Sequence, residues 1–331
     1  MADEALPFVT VIMPTLNEAG FIERAIKSLL ENNYPPDKVE ILVVDGGSKD
    51  GTVEIVRKMA DKSPNIKLLG GPGVNCPAAM NIGIKNAKGE IICKIDGHGY
   101  VDRDFIRLGV SYLQSDATIK CTGGPIRPVP RDFVGKSNAL ARSSVFGVGG
   151  GINTVGEKPQ FTDTVQCGIY RKELFDTIGL FDESLQFGED EEINWRIIKA
   201  GYKIYCTPEI KFYFYPRESF RGFYRQYFNY GRARVKVFRK HKDFLRAKHL
   251  VPSVFVLSIL ASGILLFLHP MFLWVLLIII AAYLSASIFF SVLISQQQGW
   301  QYLCALPVSF ACLHFGYGIG FLKGVWDFLF K

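Results

Sequence analysis

Short apolar runs alternate with amphipathic stretches through the first part of the chain. Each run ends as a buried strand does, in a proline, an aspartate or glycines: FVTVIMP, VEILVVDGG, IKLLGG and EIICKID. The stretches between the runs carry apolar residues at helical spacing, for example Phe21, Ile22, Ala25, Ile26, Leu29 and Leu30. Strands that alternate with helices predict an α/β fold, in which helices cover both faces of a mostly parallel sheet.

Polar residues follow three of the predicted strands at the point where each strand ends. The segments are Pro14–Glu18, Asp45–Asp50 and Asp96–His98. Taken alone, the Asp-Gly-His sequence at 96–98 is also typical of a plain turn whose polar groups face water. Ligands of parallel sheets bind beyond the carboxyl ends of the strands, however, and all three segments lie there. The pattern therefore favours a binding site at this edge of the sheet.

The chain becomes almost wholly apolar from Val251 onward, which adds a membrane region to the soluble domain. Three runs, Val251–His269, Met271–Ser295 and Leu303–Leu322, contain no aspartate, glutamate, lysine or arginine. Each has about 19 to 25 residues, the length that a helix needs to cross a bilayer. We therefore predict about three transmembrane helices. Buried core helices are the alternative, which is strongest for the third run because it contains Pro307 and several glycines.

Positive charge is concentrated just before the first of these runs. The formal net charge is +7, and lysine and arginine crowd the segment from Lys211 to Lys248. A basic segment beside a membrane span indicates the cytoplasmic side and favours anionic lipid over nucleic acid as the partner. The N-terminal sequence MADEALPFVT lacks the basic start and apolar core of a signal peptide. We expect a multi-pass protein of the inner membrane whose N-terminal domain is cytoplasmic.

These patterns divide the chain into three parts. We predict the α/β domain in residues 1–210, basic and aromatic helices in 211–250, and the transmembrane region in 251–331. Five aromatic rings of the middle part fall on one face of a predicted helix: Phe220, Phe223, Tyr224, Tyr227 and Phe228. This arrangement is typical of a helix in the membrane interface, with its rings at the lipid headgroups. A helix packed on the soluble domain is the alternative.

Six sequence elements together resemble the family 2 inverting glycosyltransferases, which have the GT-A fold. They are VIMPTLNE, VVDGGSKDGT, AMNIGIKNAKGEII, KIDGH, FDESL and GEDEEINWRI, in family order across roughly residues 8–200. The Asp-Gly-His triplet, the DGGS turn and the C-terminal membrane region are most similar to the succinoglycan-biosynthesis glucosyltransferases. The resemblance implies a Rossmann-like GT-A domain and a nucleotide-sugar donor, usually a uridine diphosphate sugar.

The resemblance also implies which residues bind the donor. The matching positions are Pro14, Thr15, Asn17, Glu18, Asp45, Gly47, Asn81 and Asp96. Asp45 would contact the base, because a carboxylate can accept a hydrogen bond from the imide N–H of uracil. Many relatives have a second aspartate where this chain has Gly46, so the choice of base stays open.

The Asp-Gly-His triplet stands where relatives have an Asp-x-Asp metal motif. The resemblance makes Asp96 and His98 the metal ligands, with the ion bridging the two phosphates of the donor. Because imidazole suits Mn²⁺ better than Mg²⁺, Mn²⁺ is the expected ion. In the alternative, His98 donates a hydrogen bond to a diphosphate oxygen without touching the metal.

The resemblance assigns the role of catalytic base to Asp190, in the Glu-Asp pair that opens a predicted helix. An inverting transfer needs one carboxylate to take the proton of the acceptor hydroxyl. Acidic residues are also ordinary at a helix start, where they favour the helix dipole. Candidate acceptor contacts are Glu189, Trp195, Arg196, Gln226 and Arg232. Core packing is an equal alternative for Trp195, and the last two match only loosely the Gln-x-x-Arg-Trp element of processive synthases.

The sequence thus predicts a membrane-anchored inverting glycosyltransferase. Its substrates would be a nucleotide sugar and a polyprenyl-diphosphate-linked saccharide, in exopolysaccharide or related glycan assembly. A polyprenyl-phosphate glycosyl synthase is the first alternative, and a processive polysaccharide synthase is the second. Outside enzymes, the alternative is a non-catalytic membrane scaffold that kept a donor-binding fold, against which the intact Asp45, Asp96 and Asp190 argue.

Overall fold

The computed structural model describes residues 6–149 and 158–330, which form two compact units. The first, called the α/β unit, comprises residues 6–127 and 158–214. The second, called the helical unit, comprises residues 128–149 and 215–330. The observed boundary at 214 lies close to the predicted one at 210. Residues 128–149, which the sequence assigned to the α/β domain, belong instead to the helical unit.

The strands of the α/β unit build a main sheet and a smaller one. They are β1 (Val9–Thr15), β2 (Val39–Asp45), β3 (Ile66–Gly70), β4 (Ile91–Lys94), β5 (Gly99–Val101), β6 (Ile119–Gly123), β7 (Ile126–Pro128), β8 (Gln160–Thr162), β9 (Ile169–Arg171), β10 (Lys203–Cys206) and β11 (Phe212–Phe214). Within the described residues the main sheet has the order β3-β2-β1-β4-β9-β6-β10-β8, and the smaller sheet has the order β5-β11-β7. Only β9 and β8 run antiparallel to their neighbours in the main sheet, so this sheet is mostly parallel, as predicted.

Helices cover both faces of the main sheet. The helices of the described chain are α1 (Ile22–Leu30), α2 (Thr52–Ala60), α3 (Cys76–Asn86), α4 (Phe105–Ser115), α5 (Phe133–Ser143), α6 (Val145–Val148), α7 (Leu174–Ile178), α8 (Glu189–Lys199), α9 (Phe220–Lys240), α10 (Val251–Leu265), α11 (Met271–Gln298) and α12 (Ala305–Phe330). On one face, α1, α2 and α4 share a core with alternate residues of β1 and β2, and α3, α7 and α8 do so on the other. The predicted layered architecture is confirmed.

In the helical unit, α9 lies alongside α12 at close range. A Cβ atom at Gly320 of α12 would collide with the carbonyl oxygen of Phe228, so glycine is what lets the two backbones approach. Phe223 and Tyr227 are buried in this unit, in a cluster with Leu313 of α12. The headgroup position that the sequence predicted for these two rings is therefore wrong, because they pack on α12.

Two helices of the described chain, α11 and α12, could cross a membrane by length and composition. α11 is mostly exposed, so its apolar surface is available to lipid, whereas α12 is largely covered by other helices. The first predicted span differs from expectation, because α10 has 15 residues and a span needs about 17 or more. Its apolar sequence continues, but residues 266–270 form a turn that leads into α11.

The short helices α5 and α6 are fixed in the helical unit by polar and apolar contacts. Asn138 accepts a hydrogen bond from Ser309 Oγ at 2.9 Å, and His314 Nε2 lies 2.9 Å from the carbonyl oxygen of Phe146. The ring of Phe146 stacks on Phe290 of α11 with centroids 5.2 Å apart. These contacts explain why residues 128–149 belong with the C-terminal helices.

Candidate active site

Asp45 ends β2 at the carboxyl edge of the sheet, and its two carboxylate oxygens have different surroundings. Oδ2 accepts hydrogen bonds from the backbone N–H groups of Gly47, at 2.7 Å, and Ser48, at 2.9 Å. Oδ1 is buried and has no hydrogen-bond partner among the described residues. A buried acceptor without a donor costs free energy, so this atom fits a ligand N–H group such as that of a nucleobase.

The loops after β1 and β2 hold each other in place. Asn17 adopts a left-handed backbone conformation with φ of 57°. Its N–H group donates to Ser48 Oγ at 2.8 Å, and its Oδ1 accepts from the N–H group of Lys49 at 2.9 Å. The N–H group of Glu18 donates to Thr52 Oγ1 at 2.9 Å. The predicted donor residues Asn17 and Glu18 therefore belong to a well-braced loop beside Asp45.

Pro14, Thr15 and Gly47 are further predicted donor residues at this edge of the sheet. Pro14 and Thr15 close β1, and Thr15 Oγ1 donates to the carbonyl oxygen of Met13 at 3.0 Å. Gly47 has φ of 97°, and a Cβ atom there would come 2.8 Å from Pro72 Cα. Both facts require glycine at this position of the turn.

Asp96 and His98 follow β4 at the same edge. His98 Nδ1 lies 3.2 Å from Glu18 Oε1, and the Asp96 carboxylate is 29% exposed with Lys94 Nζ at 3.9 Å. The described residues contain no group of three potential ligands that could hold a metal by themselves. Mg²⁺ and Mn²⁺ at phosphate sites are commonly held by one or two protein side chains together with phosphate oxygens. The residues present therefore fit a divalent ion that binds together with a diphosphate.

A buried lysine links this edge to the predicted catalytic helix. Lys94 is the last residue of β4 and is 1% exposed. Its Nζ lies 2.6 Å from Asp190 Oδ1 and 3.0 Å from Glu189 Oε1, in the first turn of α8. Asp190 Oδ2 has no partner among the described residues, and the Asp190 side chain is 16% exposed. Lys94 thus holds the carboxylate through one oxygen, and the side chain as a whole is partly exposed.

Strand alternation explains why Lys94 meets α8. Ile92, two residues earlier, packs in the core between the sheet and α8, together with Ile193 and Ile197 of that helix. Lys94 points to the same face, beyond the end of the apolar layer. Lys94 was not among the site residues predicted from the sequence, although a lone lysine in an otherwise apolar strand indicates a buried acidic partner.

Burial and neighbouring charges shape the protonation of this pair. Burial is the largest influence on the Asp190 carboxyl and raises its pKa to about 7, while the Lys94 ammonium acts to lower it. Burial acts to lower the pKa of Lys94, but the Asp190 and Glu189 carboxylates outweigh it and hold that pKa well above its ordinary value. Lys94 therefore stays charged, and Asp190 is more basic than an ordinary aspartate.

Two predicted ligand contacts have other partners in the structure. The Asn81 amide donates to the carbonyl oxygen of Phe181 and to Glu183 Oε1, both at 2.8 Å, and its Oδ1 accepts from the Phe181 N–H group. Arg196 forms two hydrogen bonds to Glu192 and also donates to carbonyl oxygens of residues 178–180. Both side chains thus stabilise the segment of residues 178–183, which precedes α8. The donor contact of Asn81 and the acceptor contact of Arg196 stay predictions.

The other residues predicted to contact the acceptor also have partners within the protein. Gln226 Nε2 donates to the Tyr230 hydroxyl at 3.0 Å, and Arg232 pairs with Asp327 of α12 at 2.7 Å, both within the helical unit. Glu189 is held by Lys94, as described above. Trp195 is half-buried with the Lys199 amine 5.3 Å from its ring centre, and its acceptor role stays a prediction.

A family model and curated proteins match the chain over most of its length. The Glycosyl transferase family 2 model matches residues 10–179. The succinoglycan biosynthesis protein ExoA of Rhizobium meliloti (strain 1021) is 30% identical over 325 residues, which cover 96% of this chain and 95% of that protein. A dolichyl N-acetyl-alpha-D-glucosaminyl phosphate 3-beta-D-2,3-diacetamido-2,3-dideoxy-beta-D-glucuronosyltransferase of Methanococcus voltae is 29% identical over 274 residues, covering 80% of this chain and 84% of that protein.

Solved structures share the fold. The mannosyltransferase PcManGT from Pyrobaculum calidifontis, in complex with GDP-Man and Mn²⁺, has a TM-score of 0.61 at 23% identity, covering 98% of this chain and 88% of that one. GalNAc-T7 with UDP, GalNAc and Mn²⁺ has a TM-score of 0.54 at 18% identity, covering 72% of this chain and 48% of that one. The predicted GT-A fold is confirmed.

Proposed function

The chain belongs to glycosyl transferase family 2, and we propose that it is a membrane-anchored inverting hexosyltransferase of polysaccharide or glycan biosynthesis. Its donor is a nucleotide-diphosphate sugar, namely a UDP-hexose. Its acceptor is a polyprenyl-diphosphate-linked saccharide at the cytoplasmic face of the membrane. The reaction adds one sugar to the lipid-linked chain.

The observation that carries this proposal is the set of carboxylates at the edge of the α/β unit. Asp45 has an unpaired buried oxygen, Asp96 a partly exposed carboxylate, and Asp190 an oxygen available beside the one that Lys94 holds. These features suit binding of the base, binding of the diphosphate with a divalent ion, and removal of a proton. A scaffold without activity would need neither a divalent ion at the diphosphate nor a group that removes a proton.

Asp190 is the general base of the proposed reaction. Its Oδ2 takes the proton of the acceptor hydroxyl while that oxygen forms the new bond to the anomeric carbon. The bond from this carbon to the donor diphosphate breaks, and its electron pair leaves with the nucleoside diphosphate. Attack opposite the leaving group inverts the anomeric configuration, as in the single displacement of inverting glycosidases.

Asp96 and His98 are the proposed protein ligands of a divalent ion, with Mn²⁺ preferred to Mg²⁺. When bound, the ion stabilises the negative charge of the leaving diphosphate as a Lewis acid. Glu18, which lies against His98 Nδ1, orients the imidazole. The Mn²⁺ in the complex of PcManGT supports a divalent ion at this kind of site.

A lipid-linked acceptor is supported by the helical unit and by one relative. α11 offers a mostly exposed apolar surface long enough to cross a bilayer. Arg217, Arg221 and Arg225 are exposed at and near the start of α9, where cations suit lipid phosphates. The archaeal relative is a transferase whose name specifies a dolichyl-linked sugar phosphate as acceptor.

A donor screen on the detergent-purified protein tests the proposal. Radiolabelled UDP-glucose, UDP-galactose, UDP-N-acetylglucosamine and GDP-mannose are each offered with a bacterial lipid extract and either Mn²⁺ or Mg²⁺. We expect label from one UDP-hexose to enter the organic phase, more with Mn²⁺ than with Mg²⁺. Chelation should abolish the transfer, and so should Asp190→Asn, which removes the base while leaving donor binding intact.

Other outcomes of the same screen contradict the proposal in different ways. Label on a lipid monophosphate without a saccharide would identify a polyprenyl-phosphate synthase. Label in a water-soluble polymer would identify a processive synthase. Full transfer by Asp190→Asn would exclude Asp190 as the base, and donor binding without any turnover would favour a scaffold.

A further inference from the structure

Lys94 is one of the largest fully buried side chains of the α/β unit, and it is a cation. Charged side chains are rarely buried unless they are paired, because removal of a charge from water costs several kcal/mol. Lys94 makes short contacts with Asp190 and Glu189 and a longer one, 3.9 Å, with Asp96 Oδ1. One ammonium group thus lies among the carboxylates proposed for proton transfer and for diphosphate binding.

The contacts of Lys94 are asymmetric in a way that suits catalysis. Its Nζ binds Oδ1 of Asp190 and leaves Oδ2 without a partner among the described residues. Rotation of the carboxylate would break a contact of 2.6 Å to a side chain that is itself held by packing. The direction in which Oδ2 presents its lone pairs is therefore determined by Lys94.

We propose that Lys94 is a positioning residue for the transfer reaction: it orients the Asp190 carboxylate toward the acceptor hydroxyl and holds the start of α8 against the end of β4. This inference rests on the proposed function, since it assigns Asp190 the role of base. In the proposed reaction, Lys94 itself touches neither substrate nor reacting atoms. Its removal should slow turnover of bound substrate rather than weaken donor binding.

Three variants test the role of Lys94. Lys94→Met removes the charge and keeps the length of the side chain. Lys94→Met combined with Glu189→Gln also removes one partly buried negative charge. The two substitutions together leave the net charge of the cluster unchanged, so the double variant should fold where the single variant fails, and Glu189→Gln alone is its reference. Lys94→Arg restores a cation that can bind two carboxylates at once.

A matched control removes a lysine from another ion pair of the same unit. Lys67 on β3 lies 3.2 Å from the buried Glu40 on β2, near the amino ends of these strands and away from the carboxyl edge. Lys67→Met is the same chemical change as Lys94→Met. We expect it to lower stability at most and to leave turnover unchanged.

Turnover is measured per donor-binding site, with sites counted by binding of labelled nucleoside diphosphate, so that loss of folded protein is not mistaken for loss of catalysis. We expect kcat per site to fall about 100-fold in Lys94→Met, as misplacement of a catalytic group does. The double variant should fall by a similar factor relative to Glu189→Gln. Donor KM should stay within about threefold, and Lys94→Arg should recover about tenfold in kcat.

The outcomes separate this inference from the proposed function. If the double variant turns over within about threefold of Glu189→Gln, Lys94 is a structural ion-pair partner only and the inference is wrong. An equal loss of kcat per site in Lys67→Met would also overturn it, because the effect would not be local to Asp190. A wild-type protein that transfers no sugar overturns the proposed function, and this inference with it.

Discussion

Asp45 shows at the scale of one residue how the fold prepares a binding position. Oδ2 accepts hydrogen bonds from the backbone N–H groups of Gly47 and Ser48, while Oδ1 is buried without a partner among the described residues. In Asp45→Asn, the amide oxygen can replace Oδ2 in the turn, which places an NH₂ group where the acceptor was. Donor binding should weaken by about 1–3 kcal/mol, the cost of an unpaired buried group, measured as the Kd for UDP by calorimetry.

The control for this prediction is Asp37→Asn, which makes the same change on an exposed turn before β2. It should leave the Kd for UDP unchanged. If Asp45→Asn binds UDP as tightly as the wild type does, Asp45 does not contact the base, and the unpaired oxygen has another explanation.

Residue roles were predictable where they follow from position along a strand and less so where they depend on distant partners. Asp45, Asp96 and the loop at Asn17 lie at strand ends, which the hydrophobic pattern locates directly. Asn81 and Arg196 carry polar groups that suit a ligand, yet their hydrogen bonds go to residues 178–183, at the approach to α8. No periodicity in the sequence specifies that pairing.

At the scale of elements, the packing of α9 on α12 depends on glycine. A Cβ atom at Gly320 would overlap the carbonyl oxygen of Phe228, which is backbone and cannot turn aside. Gly320→Ala should force the helices apart and destabilise the protein by about 1–3 kcal/mol, as overpacking does. Thermal unfolding in detergent measures the effect.

Gly263 of α10 offers a matched control for Gly320. Both glycines lie inside apolar helices, but a Cβ atom at Gly263 meets no heavy atom within 4 Å among the described residues. Gly263→Ala should leave the Tm unchanged or raise it slightly, because alanine favours helix. Equal losses in both variants would indicate that helix flexibility, rather than contact with α9, explains the effect of Gly320→Ala.

The packing of α9 on α12 also shows what the periodicity of a sequence can and cannot predict. The spacing of aromatic residues in α9 correctly indicates that one face of this helix is covered. The spacing does not indicate what covers that face. Phe223 and Tyr227 pack on α12, whereas the sequence suggested that they contact lipid headgroups. Hydropathy has the same limit for α10, since an apolar run does not reveal where its helix ends.

At the scale of the whole molecule, neither unit is one continuous stretch of the chain. Residues 128–149 interrupt the α/β unit in sequence, yet they form part of the helical unit. We predicted from the sequence that they belong to the α/β domain of residues 1–210. Several of their partners lie far along the chain, as Ser309 does from Asn138, 171 residues away, so no local pattern predicts them.

This arrangement predicts how the protein responds to removal of its C-terminal helices. A fragment of residues 1–214 keeps both cores of the α/β unit but deprives α5 and α6 of α11 and α12, which cover Leu140 and Phe146. Each side chain of this size that returns to water costs about 1.5–3 kcal/mol. The fragment should therefore sediment with membranes or aggregates, whereas the same fragment with Leu140→Gln and Phe146→Gln should stay soluble and bind UDP as the full chain does. Ultracentrifugation of the lysate and calorimetry measure the two properties. A fragment that is soluble without these changes would mean that residues 128–149 find enough partners within the α/β unit, and that their place in the helical unit contributes little to stability.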